Sequence, residues 1–237
     1  MINTEIFTQI GLDSGALTLL GAVAHPVHEP GPYRGVVLRD GEEVADFGFV
    51  VAEEGRAQLD VDVAKVAGAG RTRCGCCTDP DADPHLRAGG VLLMHVGSGR
   101  GAYAVVVSAG EGDAQRVVFD SRQLEKGDLF TATVLRPGRY AVTNTVNRTR
   151  AELEVRYPER RREPLRAAEP VQVRVGDRFD PERLAVQPTQ GQVYAVETSA
   201  RVVIELVEPY DSAPVEGAPR FRLVVRRPAA QAAGPGK

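Results

Sequence analysis

Three cysteines, Cys74, Cys76 and Cys77, stand within four residues of one another, and the chain has no others. The run Cys-Gly-Cys-Cys holds a CxxC, a CxC and a vicinal pair at once. Thiolates this close suit a soft or borderline ion, zinc or copper(I), without any long-range folding. Gly75 gives the backbone freedom to turn both sulfurs toward one ion. His85, eight residues past Cys77, would complete a Cys3His tetrahedron. The candidate metal ligands are therefore Cys74, Cys76, Cys77 and His85.

Other chemistry for the same stretch fits less well. A zinc site usually presents two separated ligand pairs, and this loop offers one. A four-cysteine iron–sulfur centre is excluded within a single chain, because only three cysteines exist. Redox work needs a lowered thiol pKa. Arg71 and Arg73 favour the thiolate, Asp79, Asp81 and Asp83 oppose it, and Pro80 blocks the helix start that usually helps. Inert thiols packed as small hydrophobes are the bland alternative. The aspartates imitate the start of a calcium loop, but Pro84 stands where the sharp turn needs glycine and Gly90 where the bidentate glutamate belongs.

The remaining histidines read more plainly. His25 and His28 lie in a proline-rich stretch and would join the site only if that strand runs beside the loop. His95 reads as a packed histidine near a strand end. No Ser/His/Asp pattern stands out, since Ser98 and Ser108 lack a nucleophile-elbow context. Gly97-Ser-Gly-Arg-Gly101 lacks the helix and Lys-Ser/Thr pair of a phosphate loop and reads as a hairpin turn.

The elements around the loop are short β-strands. Leu17–Val23 is a continuous apolar run, broken by three prolines between His25 and Pro32. Tyr33–Arg39 and Val44–Val51 flank Asp40-Gly41, a pair that tolerates the positive φ of a tight hairpin. In Gln58–Val63, Leu59, Val61 and Val63 alternate with Gln58, Asp60 and Asp62, the mark of a half-buried strand. The loop that follows, roughly twenty residues without period, has the length of a functional or a disordered loop. Gly90–Val96 and Ala102–Ser108 return to strand.

Later, Gly138–Thr143 and Gly191–Thr198 each carry Tyr-Ala-Val and run into a second strand, at Ala151–Tyr157 and Arg201–Val207. They fit two related β-units or the two sheets of one sandwich. Pro158–Pro170 reads as a linker or long connection, Phe221–Arg227 as a last strand, and 228–237 as a disordered tail.

Composition bounds the classes. With 43% hydrophobic and 26% charged residues, the chain has globular values. A net charge of −3 gives no pull toward nucleic acid or anionic lipid. No stretch approaches the roughly 20 apolar residues of a membrane helix. Glu5 and Asp13, with no basic residue before the first apolar run, argue against a signal peptide, so the expected compartment is a reducing cytoplasm with free or metal-bound thiols. Charge is uneven: Asp40–Asp62 carries eight acidic residues against Arg56, and Arg148–Arg166 seven arginines against four glutamates. Solvated hairpin tips explain this; complementary patches that bring chains together are the sharper reading.

Phe179-Asp-Pro-Glu-Arg-Leu-Ala-Val-Gln-Pro188 resembles the first strands of cupredoxin-like sandwiches, and Leu135-Arg-Pro-Gly-Arg-Tyr-Ala-Val-Thr-Asn144 resembles their late Pro-Gly-x-Tyr hairpin. The resemblance implies a sandwich, with the two pieces in reverse order. It does not carry the copper site, because every His and Cys lies at or before His95. The expected architecture is all-β, with two sandwich-like (cupredoxin/immunoglobulin-like) units of mainly antiparallel strands, 1–112 and 113–227. The expected function is a metal- or thiol-binding accessory protein acting through the Cys74–His85 loop, with no catalytic constellation. A structural or interaction module, self-associating or docked on a partner enzyme, is the alternative.

Overall fold

The computed structural model describes residues 10–68, 84–157 and 168–210. The chain is all-β: among the described residues, helix is limited to α1 (Val63–Gly68) and a short 3-10 turn at Gly112–Ala114. With strands numbered in chain order, a five-stranded sheet runs β1 (Gly11–Asp13), β16 (Val202–Pro209), β10 (Gly138–Asn144), β11 (Thr149–Val155), β14 (Arg183–Val186). The larger sheet begins with β13 (Phe179–Asp180), β12 (Val171–Val175), β15 (Gly191–Val196), β9 (Leu129–Thr133) and β2 (Gly21–Val27). It continues through β6 (His85–His95), β4 (Glu42–Ala52), β3 (Gly31–Arg39), β7 (Ala104–Ala109) and β8 (Arg116–Asp120), and β5 (Arg56–Asp62) also lies along β6. Most neighbours are antiparallel; β4/β6, β5/β6, β11/β14 and β12/β15 are parallel.

Local chemistry accounts for several elements. Asp40 and Gly41 have φ of 55° and 86°, and they close the β3–β4 hairpin as the sequence predicts. Across that hairpin Gly35 faces Phe47, and a Cβ on Gly35 would lie 2.1 Å from the Phe47 ring. The ring occupies the space a side chain would need, so glycine there is a packing requirement. Leu59 and Val61 are buried, in agreement with the alternation read for β5, whereas Val63, expected to end that strand, is buried as the first residue of α1.

The N-terminal segment differs from expectation. β2 starts at Gly21 and continues through His25-Pro26-Val27, whereas Leu17 is buried in an isolated bridge to Tyr103. Pro26 is accommodated because β9 pairs with β2 only as far as Ala24. Beyond it β2 has a neighbour on one side, the edge condition under which a strand tolerates proline.

β4 and β5 follow β6 in one line with a corner. Val50–Ala52 stand opposite His85–Arg87, and Gln58–Asp62 opposite Val91–His95. At the corner the backbones of β5 and β6 nearly touch: a Cβ on Gly90 would lie 2.9 Å from the Ala57 carbonyl oxygen.

Strands from the two ends of the chain meet. Leu12 of β1 pairs with Ile204 of β16, and Val23 of β2 with Phe130 of β9. The Tyr-Ala-Val segments lie one in each sheet, and Tyr140 and Tyr194 are among the largest fully buried side chains. With no Trp, the core rests on Val, Leu, Phe and these tyrosines. The Arg-rich stretch at 158–167, the strand expected at Phe221–Arg227 and the expected tail at 228–237 lie outside the described residues.

Candidate functional site

The cysteine loop is a crossover. Two parallel neighbours cannot be joined by a tight turn, so the chain must travel back from the end of β5 to the start of β6. The 63–84 connection does this, over an eleven-residue strand that spans about 35 Å when straight. It leaves at Asp62, opens with α1, and returns at Pro84, whose carbonyl accepts a 2.9 Å bond from the Val50 amide. Cys74, Cys76 and Cys77 lie outside the described residues, as do the three aspartates. Of the four ligand candidates only His85 is described: it is exposed, the first residue of β6, opposite Val50.

Asp62 and His95 stand opposite each other where the crossover departs. Asp62 Oδ1 accepts from the amides of Gly97 (3.1 Å), Ala64 (3.2 Å) and Lys65 (3.3 Å), so the carboxylate caps α1 and ties down the turn after β6. Gly97 has no room for more: a Cβ would lie 2.5 Å from Asp62 Oδ2. The Asp62 side chain is only 9% exposed. Its Oδ2 has the Lys65 ammonium at 3.4 Å but accepts no hydrogen bond, and His95 Nδ1 is likewise buried without one. Burial by itself would raise the Asp62 carboxyl. The Gly97 and Lys65 amides, the Lys65 ammonium and the nearby imidazole outweigh it and hold the pKa below the ordinary value.

A second histidine–carboxylate pair lies on the opposite face. His25 shares the face of Val23, whereas His95 pairs with Ala22, one residue out of phase. His25 Nδ1 donates to Asp128 Oδ1 at 2.6 Å, with the side chains 16% and 4% exposed. Asp128 Oδ2 accepts from the Glu125 amide at 2.8 Å, and the imidazole packs against Phe119 with ring centroids 5.0 Å apart. The Asp128 carbonyl in turn accepts from the Val196 amide at 3.0 Å. The buried carboxylate thus joins β2 to the turn before β9, and the backbone carbonyl of the same residue ties that turn to β15.

The expectation that His25 and His28 join the site if their strand runs beside the loop falls on a loop outside the described residues. β2 is the neighbour of β6, and a Cβ on Gly89 would lie 3.9 Å from His28 Nδ1, but His25 is turned into the core. Among the described residues no three His, Cys, Asp or Glu side chains gather as a metal-binding group. No described helix is long and apolar enough to cross a membrane.

Sequence reading missed Asp62, His95 and Asp128 as partners. His25 and Asp128 are 103 residues apart with no local signal, and Asp62 meets His95 only because β5 and β6 run parallel. No protein-family model, curated protein or solved structure matches the chain.

Proposed function

We propose that the chain is a metal- or thiol-binding accessory protein of a reducing cytoplasm, acting through the Cys74–His85 loop. Cys74, Cys76 and Cys77 supply thiolates and His85 the imidazole, a donor set suited to zinc or copper(I). The observation that supports this reading is the frame. The loop is a crossover held at one end by the Asp62 cap and at the other by the Pro84–Val50 bond, and an exposed imidazole stands at the return. Metal content of protein purified without added metal tests it. About one zinc or copper per chain is expected, and Cys74→Ser/Cys77→Ser should abolish it while the far-UV spectrum stays β. Binding should release protons and weaken as pH falls, because the thiols bind as thiolates. A metal-free parent whose thiols all react freely overturns the proposal.

The architecture that goes with it is two sandwich-like units, with the cupredoxin-like pieces in the second. Two contacts support this. Tyr33 donates to the Glu29 carbonyl and Tyr140 to the Arg136 carbonyl, each at 2.7 Å and four residues upstream, one in each half of the chain. Such tyrosine corners recur in immunoglobulin-like sandwiches. The hairpin at Gly138 and the strand at Arg183 lie in the same five-stranded sheet.

A non-catalytic interaction module is the second reading, favoured by the exposed acidic residues at the two ends of β4 and on β5. Glu42, Glu43, Glu53, Glu54 and Asp60 are exposed there, and Arg34 meets Glu43 and Asp46. Capture of a basic partner that fades with salt would select it.

A further inference from the structure

Among the described residues the larger sheet ends on β8, which has β7 on one side and no described strand on the other. Other open edges are blunted in familiar ways. β1, β13 and β14 have three, two and four residues, and β5 presents Arg56, Gln58 and Asp60. β8 is different. It reads Arg-Val-Val-Phe-Asp, Phe119 is buried, Val118 is partly buried, and Val117 is 63% exposed.

The order of residues in this edge is self-complementary. Turned antiparallel about Val118, a second copy sets Val118 against Val118, Val117 against Phe119, and Arg116 against Asp120 at both ends. Opposite charges then face each other twice, which favours the pairing. A parallel, in-register pairing would set Arg116 against Arg116 and Asp120 against Asp120, which disfavours it. Val118 is also the residue with no partner on β7, because a bulge sets Val107 opposite Phe119 and Ser108 opposite Val117. Arg116 now meets Glu29 in an exposed pair, and such pairs contribute little, so the guanidinium can turn.

We infer that β8 is a self-association edge, through which two copies of this chain join as an antiparallel, two-fold pair centred on Val118. A two-fold contact of this kind closes on itself and yields a dimer instead of a fibre. Five residues make a small interface, so the dimer is weak and concentration-dependent. The inference does not depend on the cysteine loop.

Sedimentation equilibrium over a wide concentration range tests it. The expected result is a mass that rises from one chain toward two, with β8 amides exchanging more slowly as concentration increases. Val117→Lys should weaken association roughly tenfold or more, and Arg116→Asp and Asp120→Arg should each do the same by facing like charges. Mixing the Arg116→Asp and Asp120→Arg proteins should restore the dimer, since each variant's altered residue then meets its complement. Far-UV spectra of all three variants establish that they fold, and Val117→Lys, which alters only an exposed side chain, stands if the Asp120 variant does not. A parent that stays monomeric at every concentration overturns the inference, as does a dimer indifferent to Val117→Lys. Metal content of the same samples reports on the loop separately.

Discussion

His25–Asp128 and Asp62–His95 both place an imidazole near a carboxylate, on opposite faces of the same run of sheet. In the first pair the ring nitrogen is bonded to one oxygen at 2.6 Å and a backbone amide takes the other, so the carboxylate is fully committed. In the second, one oxygen caps α1, while the other oxygen and the imidazole Nδ1 are left without hydrogen bonds. The residue types are the same, and what separates the pairs is closure of the hydrogen bonds. A closed pair in the core acts as a tie between strands. The open pair lies where the connection that carries the cysteines leaves the sheet.

The largest effect should come from breaking the closed pair. Asp128→Ala leaves a mostly buried imidazole and the Glu125 amide without their partner, and should cost about 3 kcal/mol. Urea unfolding measures this, and a loss below about 1 kcal/mol would remove the distinction between the pairs. Asp62→Ala should cost less, about 1 kcal/mol, through loss of the α1 cap, whereas Asp62→Asn should keep most of it because asparagine caps equally well.

Acid titration separates the pairs further. The folded Asp62 carboxyl sits below its ordinary value, so its contribution is fully present above the unfolded pKa and disappears as pH falls through the lowered folded one. The stability difference between parent and Asp62→Asn should therefore shrink on the acid side. A difference that stays constant down to pH well below the carboxylate range would show that the carboxylate charge is not what matters.

The smallest effects extend the comparison to the buried tyrosines. Tyr140 donates to the Arg136 carbonyl, so Tyr140→Phe should lose about 1 kcal/mol. The Tyr194 hydroxyl is buried without a partner, and burial pushes its pKa up. Tyr194→Phe should therefore be neutral or stabilising in the same urea unfolding measurement.

Much of the scaffold was legible because its signals are local. Asp40-Gly41 announces a hairpin through the positive φ that those two residues tolerate, and Leu59 and Val61 announce a half-buried strand through the period of two. The site was less legible. A proline inside β2 reads as a break until β9 is seen to stop at Ala24, and His25 reads as a loop residue until Asp128 arrives beside it.

The amino-acid order by itself determined the strand content, the hairpin at Gly41, and a cysteine cluster placed in the connection between two strands. These depend on φ preferences and alternation over a few residues, which any chain segment carries with it. Tertiary structure alone decided that β5 and β6 run parallel and that Asp62 faces His95. It also decided that Asp128 closes on His25 and that β8 lies at an edge of the described sheet. Each of these is a pairing between residues tens of positions apart, selected by the burial of whole strand faces, so no local spacing encodes it.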